Sequence, residues 1–338
     1  MRIAVVGLGF MGSMHLKALR AVPGATVAAV YSQDEKKLTG DLSSIQGNLG
    51  GPGETFDFSA VSKYRDIPSL LADPDIDAVD ICLPTNLHSD TALAALRAGK
   101  HVLVEKPIAL TGELADEMVA EANRSGKLLM GAQVLRFFPS YVALAAALAS
   151  QEYGAVRTAV FRRRCAAPAW SKWLGDAALS GGGVFDLLIH DVDMCVKLFG
   201  LPEAVSATGF EDTPNGVDTI TAAFHYRDIP SVIVTGGWHH RKSFPFSMEY
   251  TVVTDGGTFE YSSARNEANL YLASGEPRSF PLPEQDGFEA ELAYFVDCCA
   301  SGRKPDLCPP EESAAAVKLT LLMLESRKRN GEKVACRL

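Results

Sequence analysis

The chain has 338 residues, 47% hydrophobic and 22% charged, which is enough for two ordinary domains and too apolar for a disordered chain. Its formal net charge of −9 argues against a general nucleic-acid binder, which needs a basic face to neutralise phosphates. No apolar run reaches the length of a membrane span, the N-terminus opens directly on a strand, and the seven cysteines carry neither C-x-x-C nor zinc spacing, so a cytoplasmic protein with reduced thiols and no metal is expected.

The first stretch organises the rest. Ile3, Ala4, Val5 and Val6 form the short apolar run of a strand buried on both faces. Gly7, Gly9 and Gly12 follow in the spacing G-x-G-x-x-G, with Phe10 and Met11 between them, and the chain continues with helical character. The first glycine permits a tight strand-to-helix turn, the second lets a pyrophosphate approach the backbone, and the third lets helix and strand pack closely. The phosphate is expected at the helix N-terminus, where unpaired N–H groups converge.

Thr26 to Tyr31 reads as the second strand. Its end usually carries an Asp or Glu that binds the ribose hydroxyls and repels the extra phosphate of NADP. Here Ser32 and Gln33 stand there, with Asp34 two residues on and Lys36 and Lys37 behind, which leans towards NADP. Gly40 to Phe58, with GGPG at 50–53, reads as an irregular excursion. Strand and helix then alternate: helix from Ile67, strand Ala78 to Leu83, helix Ser89 to Ala98, strand His101 to Val104, helix Gly112 to Ser125, strand Leu128 to Met130. Such alternation predicts a mostly parallel, doubly covered α/β sheet over residues 1–130. Ligands bind at the carboxyl ends of such strands, which singles out Pro84 to His88, Glu105 to Pro107 and Gln133 to Arg136.

Residues 131–338 have a different texture. Seven further strands, from Val156–Arg164 to Asn269–Ala273, follow with turn residues between them, and two helices at about 287–301 and 310–329 close the chain. This predicts an α+β domain with a large, mostly antiparallel sheet. One helix interrupts it, after three glycines at 181–183. On it Asp186, His190 and Asp193 are spaced to share a face. A histidine beside a carboxylate is the usual general acid/base near neutral pH, and a solvated helical turn is the bland alternative. Lys106, at a strand's carboxyl end, faces the crevice expected to hold substrate, where a lysine can polarise an oxygen or shuttle a proton. A cis bond to Pro107 is an open option.

Other residues weigh less. His239 and His240 are expected on opposite faces of a strand end and so not to chelate one ion. Arg162, Arg163 and Arg164 fit a solvated sheet face better than an anion site. Cys298 and Cys299 fit helix packing, and Trp170 and Trp173 divide evenly between a sugar-pocket floor and core packing.

GLGFMGSMH at 7–15, SLLADPDIDAVDICLPTNLH at 69–88, AGKHVLVEKP at 98–107 and GGGVFDLLIHDVD at 181–193 resemble the Gfo/Idh/MocA oxidoreductases. The resemblance covers nearly the whole chain. It implies a Rossmann domain, an α/β substrate domain that also makes the subunit contacts of a homodimer or homotetramer, and NAD(P)-dependent hydride transfer at a carbinol carbon of a sugar or cyclitol. Lys106 resembles the family's EKP lysine, Asp186 its substrate-side aspartate and His190 its catalytic histidine. Gly7, Gly9, Phe10, Met11, Gly12, Ser32 and Gln33 resemble the cofactor site, with Pro84, Thr85, Asn86, His88, Glu105 and Lys106 at its nicotinamide end. Arg136 resembles the arginine of the substrate pocket, to which Trp173 is added. Two features depart from the pattern: Ser32 replaces the usual Asp, and the excursion at 40–58 is longer than usual. Two other functions remain open on this fold, a dinucleotide-sensing regulator without turnover and an NAD-dependent glycoside hydrolase. Retention of Lys106, Asp186 and His190 argues against the sensor.

Overall fold

Valine, isoleucine and alanine runs that cannot face water on either side form the centre of the first of two compact units. In the computed structural model, which describes residues 1–47, 51, 53–168, 171–273, 275 and 278–338, that unit comprises residues 1–134 and 286–314. Its chain order is β1 (Arg2–Val6), α1 (Phe10–Leu19), β2 (Thr26–Tyr31), α2 (Glu35–Leu38), β3 (Ser62–Tyr64), α3 (Ile67–Ala72), β4 (Ala78–Ile81), α4 (His88–Arg97), β5 (His101–Glu105), α5 (Gly112–Ser125) and β6 (Leu129–Ala132). The six strands pair in parallel in the order β3-β2-β1-β4-β5-β6. The order reverses between β1 and β4, and a ligand crevice of a doubly wound sheet opens there. Helix starts follow local chemistry: Asp66 accepts the Ser69 N–H at 2.8 Å to cap α3, and Thr111 accepts that of Leu114 at 3.2 Å to cap α5.

The excursion at 40–58 is tied down at its base. Asp41 and Thr55 form an antiparallel bridge, and Arg20 reaches from the end of α1 to pair with Glu54 at 3.0 Å and to lie 4.4 Å over the Phe56 ring. Residues 48–50 and 52, which include part of its GGPG, lie outside the described residues.

The second unit comprises residues 135–285 and 315–338. It begins with α6 (Pro139–Ala149), β7 (Val156–Cys165), α7 (Ala177–Ser180) and α8 (Gly183–Phe199). Then come β8 (Ala204–Asp212), β9 (Val217–His225), β10 (Ser231–Trp238), β11 (Ser247–Thr254), β12 (Gly257–Ser262), β13 (Glu267–Leu272) and β14 (Arg278–Ser279). The chain closes with α9 (Gly287–Ser301), α10 (Pro310–Lys328) and β15 (Val334–Ala335). Nine strands form one sheet, β14-β13-β12-β11-β7-β10-β9-β8-β15, antiparallel throughout except for the β7–β10 pair.

Several expectations need adjustment. The arginine triplet is not one solvated face: strand alternation sends Arg162 and Arg164 to Glu249, while Arg163, 2% exposed, pairs with Asp191 at 2.8 Å. His239 and His240 lie beyond the end of β10, and their rings stand 4.1 Å apart with His240 stacked on Phe244, because strand alternation no longer applies there. Helix α6 was not anticipated, since its alanine- and leucine-rich run has no helical polar face to mark it. The second domain was expected to be continuous, but α9 belongs to the first unit: buried Phe288, Leu292 and Phe295 need a partner and α1 supplies it, with Phe288 6.3 Å from the His15 ring. Among the described residues no helix is long and apolar enough to cross a membrane.

Candidate active site

The glycine loop between β1 and α1 separates what the protein needs from what a ligand needs. Gly7 has φ +106°, and a Cβ there would meet the Cys82 carbonyl at 2.5 Å; one on Gly12 would meet the Gly7 carbonyl at 1.9 Å. Those two glycines are fixed by packing. Gly9 is different. A Cβ on it would meet nothing within 4 Å, yet it stands at the N-cap of α1, which no side chain caps. The first-turn N–H groups of such an uncapped helix start, beside an unobstructed Gly9, are the usual place for a phosphate to bind. Phe10 and Met11 are half-buried at that turn.

After β2, buried Ser32 accepts the Asp34 N–H at 3.1 Å, and exposed Gln33 donates to the Tyr31 hydroxyl at 2.9 Å. The Asp34 carboxylate accepts the Lys36 N–H at 2.9 Å and so caps α2. No carboxylate stands directly after this strand.

The ends of β4 and β5 carry the next group. Thr85 is buried, and Pro84 and Asn86 are half-buried. His88, 1% exposed, directs Nδ1 to the Pro107 carbonyl and Nε2 to that of Leu83, each at 2.8 Å. Burial holds its pKa below the ordinary value, and both ring nitrogens face backbone, so this histidine braces two loops rather than reaching a ligand. Glu105 is equally occupied: Oε2 accepts the Lys106 N–H at 3.0 Å, and Oε1 lies 3.2 Å from His15 Nε2. Burial works against its charge, but His15 and Lys106 hold the carboxyl below its ordinary value. Lys106 is half-buried, and its bond to Pro107 is cis. His15 and Asp80, which complete this network, escaped sequence reasoning. At β6's end Gln133, 1% exposed, has no hydrogen-bond partner for either amide atom among the described residues.

In the second unit α8 starts at Gly182, φ +92°, and Asp218 caps it by accepting the Val184 N–H at 2.8 Å. A Cβ on Gly183 would strike the Trp238 ring at 2.5 Å, so the glycine run lets the helix start against that indole. Within Gly183–Val196 every residue is buried except Asp186 and His190, both half-buried and one helical turn apart. Asp193 does not share that exposure. It is locked to Arg136, Nε to Oδ2 at 2.7 Å and Nη2 to Oδ1 at 2.6 Å, with both side chains 1% exposed. Arg136 thus meets the helix rather than open space. Trp173 is half-buried near α7, and Trp170 lies outside the described residues. The expected trio divides by unit: Lys106 in the first, Asp186 and His190 in the second.

A sheet wound 3-2-1-4-5-6 with a glycine loop at its switch point defines a dinucleotide-binding protein. Comparison with known proteins is more specific. Residues 1–133 match the profile of an oxidoreductase family with an NAD-binding Rossmann fold, and residues 141–260 match the GFO/IDH/MocA C-terminal domain. Myo-inositol 2-dehydrogenase of Thermotoga maritima is 30% identical over 98% of this chain and 96% of its own. Inositol 2-dehydrogenase 2 of Saccharopolyspora erythraea is 34% identical over 89% and 86%. Levoglucosan dehydrogenase, solved with NADH and levoglucosan, superposes over 100% of both chains with a TM-score of 0.86 at 20% identity, a likeness of fold. The chain belongs to the Gfo/Idh/MocA family and is an NAD(P)-dependent oxidoreductase of CH–OH groups.

Proposed function

We propose that the enzyme oxidises or reduces a carbinol carbon of a small polyhydroxylated ring, a sugar or a cyclitol, with Lys106, Asp186 and His190 as its reacting set. The observation that carries this is the surface of α8, which between Gly183 and Val196 leaves one polar notch, Asp186 and His190, in otherwise buried helix. In the oxidative direction His190 takes the hydroxyl proton as the C–H hydride departs. Lys106 hydrogen-bonds the oxygen as its charge grows, and Asp186 holds the imidazole in register. Bound nicotinamide supplies the hydride acceptor, with the dinucleotide held along Gly7, Gly9, Phe10, Met11, Gly12, Ser32, Gln33, Pro84, Thr85 and Asn86. Trp173 offers an apolar surface for the sugar ring.

The end of β2 supports NADP as the preferred cofactor, since Ser32 and Gln33 present no charge to its extra phosphate and Asp34 is engaged in capping. A homodimer or homotetramer fits a nine-stranded sheet whose strands alternate buried with half-exposed positions. The test is a panel of cyclitols, aldoses and anhydrosugars, read by absorbance of reduced nicotinamide with each cofactor. Turnover of at least one polyol with net cofactor reduction is expected. Glycoside cleavage without net reduction, or cofactor binding with no turnover across the panel, overturns the reading.

A further inference from the structure

Lys106 is bracketed by two buried histidines from other elements. On one flank His88 holds the Pro107 carbonyl at 2.8 Å. On the other, Glu105 Oε2 accepts the Lys106 N–H at 3.0 Å while its Oε1 meets His15 Nε2 at 3.2 Å. His15 continues inward: Nδ1 lies 3.0 and 2.9 Å from the two Asp80 carboxylate oxygens. A line of groups from three elements, β4, α1 and β5, thus ends on the backbone of Lys106. His15 and Asp80 are 0% exposed and Glu105 5%.

Three buried ionisable groups are poor value for stability alone, because well-packed apolar residues usually serve as well. Carboxylates on both sides of one imidazole define its state. Nδ1 hydrogen-bonds the Asp80 carboxylate and Nε2 stands at ion-pair distance, 3.2 Å, from Glu105 Oε1, a setting between two carboxylates that favours the imidazolium. The groups facing His15 are Asp80 on β4, Cys82 just beyond its end, Glu105 on β5 and the uncharged Phe288 ring on α9. Burial is the largest influence and opposes the charge on His15, but Asp80 and Cys82, through charge and hydrogen bonding together, hold the pKa well above the ordinary value. Burial pushes the Cys82 thiol up, so beside this pair it stays a neutral thiol.

We propose that Asp80 and His15 are positioning residues for the reaction: as a buried carboxylate–imidazolium pair they hold Glu105 ionised and in place, and so aim Lys106 at the substrate oxygen. This rests on the reading of Lys106 as a group that touches substrate. Asp80→Asn keeps the shape of the side chain and removes the charge that sustains the imidazolium. Displacing a reacting group by about 1 Å costs on the order of 10²-fold in rate. The expected result for Asp80→Asn and His15→Gln is therefore a ~10–100-fold fall in kcat with KM and the NADH Kd within about threefold of wild type.

Three measurements separate the possibilities. Long-range ¹H–¹⁵N spectra of the wild-type histidines should show an imidazolium that persists above neutral pH and disappears in His15→Gln; its absence from the wild-type protein overturns the proposal without any variant having to fold. In a Lys106→Met background, Asp80→Asn should cost no further activity, since its effect runs through the lysine. If Lys106→Met itself keeps wild-type turnover, the reading of Lys106 fails. If Lys106→Met is inactive while Asp80→Asn and His15→Gln keep wild-type kcat, or lose only cofactor affinity, the positioning role alone fails.

Discussion

Arg136 and Asp193 form a two-pronged ion pair at 2.6 and 2.7 Å with both side chains 1% exposed, one helical turn beyond His190 on α8. The pair ties the start of the second unit to the helix that carries His190, and Arg136 is engaged there by Asp193. Removing one partner leaves the other charge buried and alone, which costs about 3–5 kcal/mol. Arg136→Met should lower stability by that amount in urea unfolding. Arg136→Met combined with Asp193→Leu should recover much of the loss. Equal destabilisation by the single and double variants would show that the pair is not what holds the helix.

The polar notch on α8 makes a kinetic prediction. His190→Ala and Lys106→Met should each lower kcat/KM by ~10²–10⁴-fold while leaving cofactor affinity nearly intact. Asp186→Asn should lose less than His190→Ala, because it detunes the imidazole without removing it. The double variant should lose less than the product of the two single losses, since both groups act on one proton. Near wild-type turnover in His190→Ala would make that histidine structural.

Cofactor choice turns on the end of β2. Ser32→Asp should weaken NADP binding by introducing a carboxylate beside the extra phosphate, and spare or improve NAD binding. Calorimetric titration of both cofactors against both proteins reads this. A wild-type protein that binds NAD far more tightly than NADP would assign ribose recognition to Gln33, Asp34 or the backbone.

Stability should depend on pH through His15 and Glu105 in opposite ways. The native pKa of His15 stands well above its ordinary 6.5, so its contribution is complete below 6.5 and is lost as pH rises through the native value. Glu105 is held below its ordinary 4.5, so its contribution is present above 4.5 and is lost as pH falls through the lowered value. Melting temperature should therefore decline on the alkaline side in the wild type. His15→Gln should flatten that limb in thermal scans from pH ~6 to ~9. An identical alkaline decline in both proteins would mean that His15 is not the titrating group.

The half-exposed positions that alternate along the strands of the nine-stranded sheet predict self-association. Light scattering at micromolar concentration should return a dimer or tetramer, and a monomer would exclude it. Charged substitutions at half-exposed Ile233 and Thr251, on the two strands that flank β7 in that sheet, should dissociate the assembly while leaving cofactor affinity unchanged.

Local pattern determined much of this protein. The run Ile3–Val6 followed by Gly7, Gly9 and Gly12 is legible because strand, turn and helix requirements fall within a dozen residues, and β10, β11 and α9 stand within a residue or two of where composition put them. The i, i+4 spacing of Asp186 and His190 is local in the same sense. Tertiary structure decided the rest, wherever the deciding partner lies far along the chain. Asp193 fits the same helical face as Asp186 and His190, and only the approach of Arg136, 57 residues away, turns it into a buried anchor. Arg163 reads like its neighbours until β7 is placed at the centre of the sheet with Asp191 behind it. His15 and Asp80 are 65 residues apart. They meet because β4 pairs directly with β1 while α1 packs back on that sheet, and strand order is set by the burial of whole faces, which no window of sequence contains.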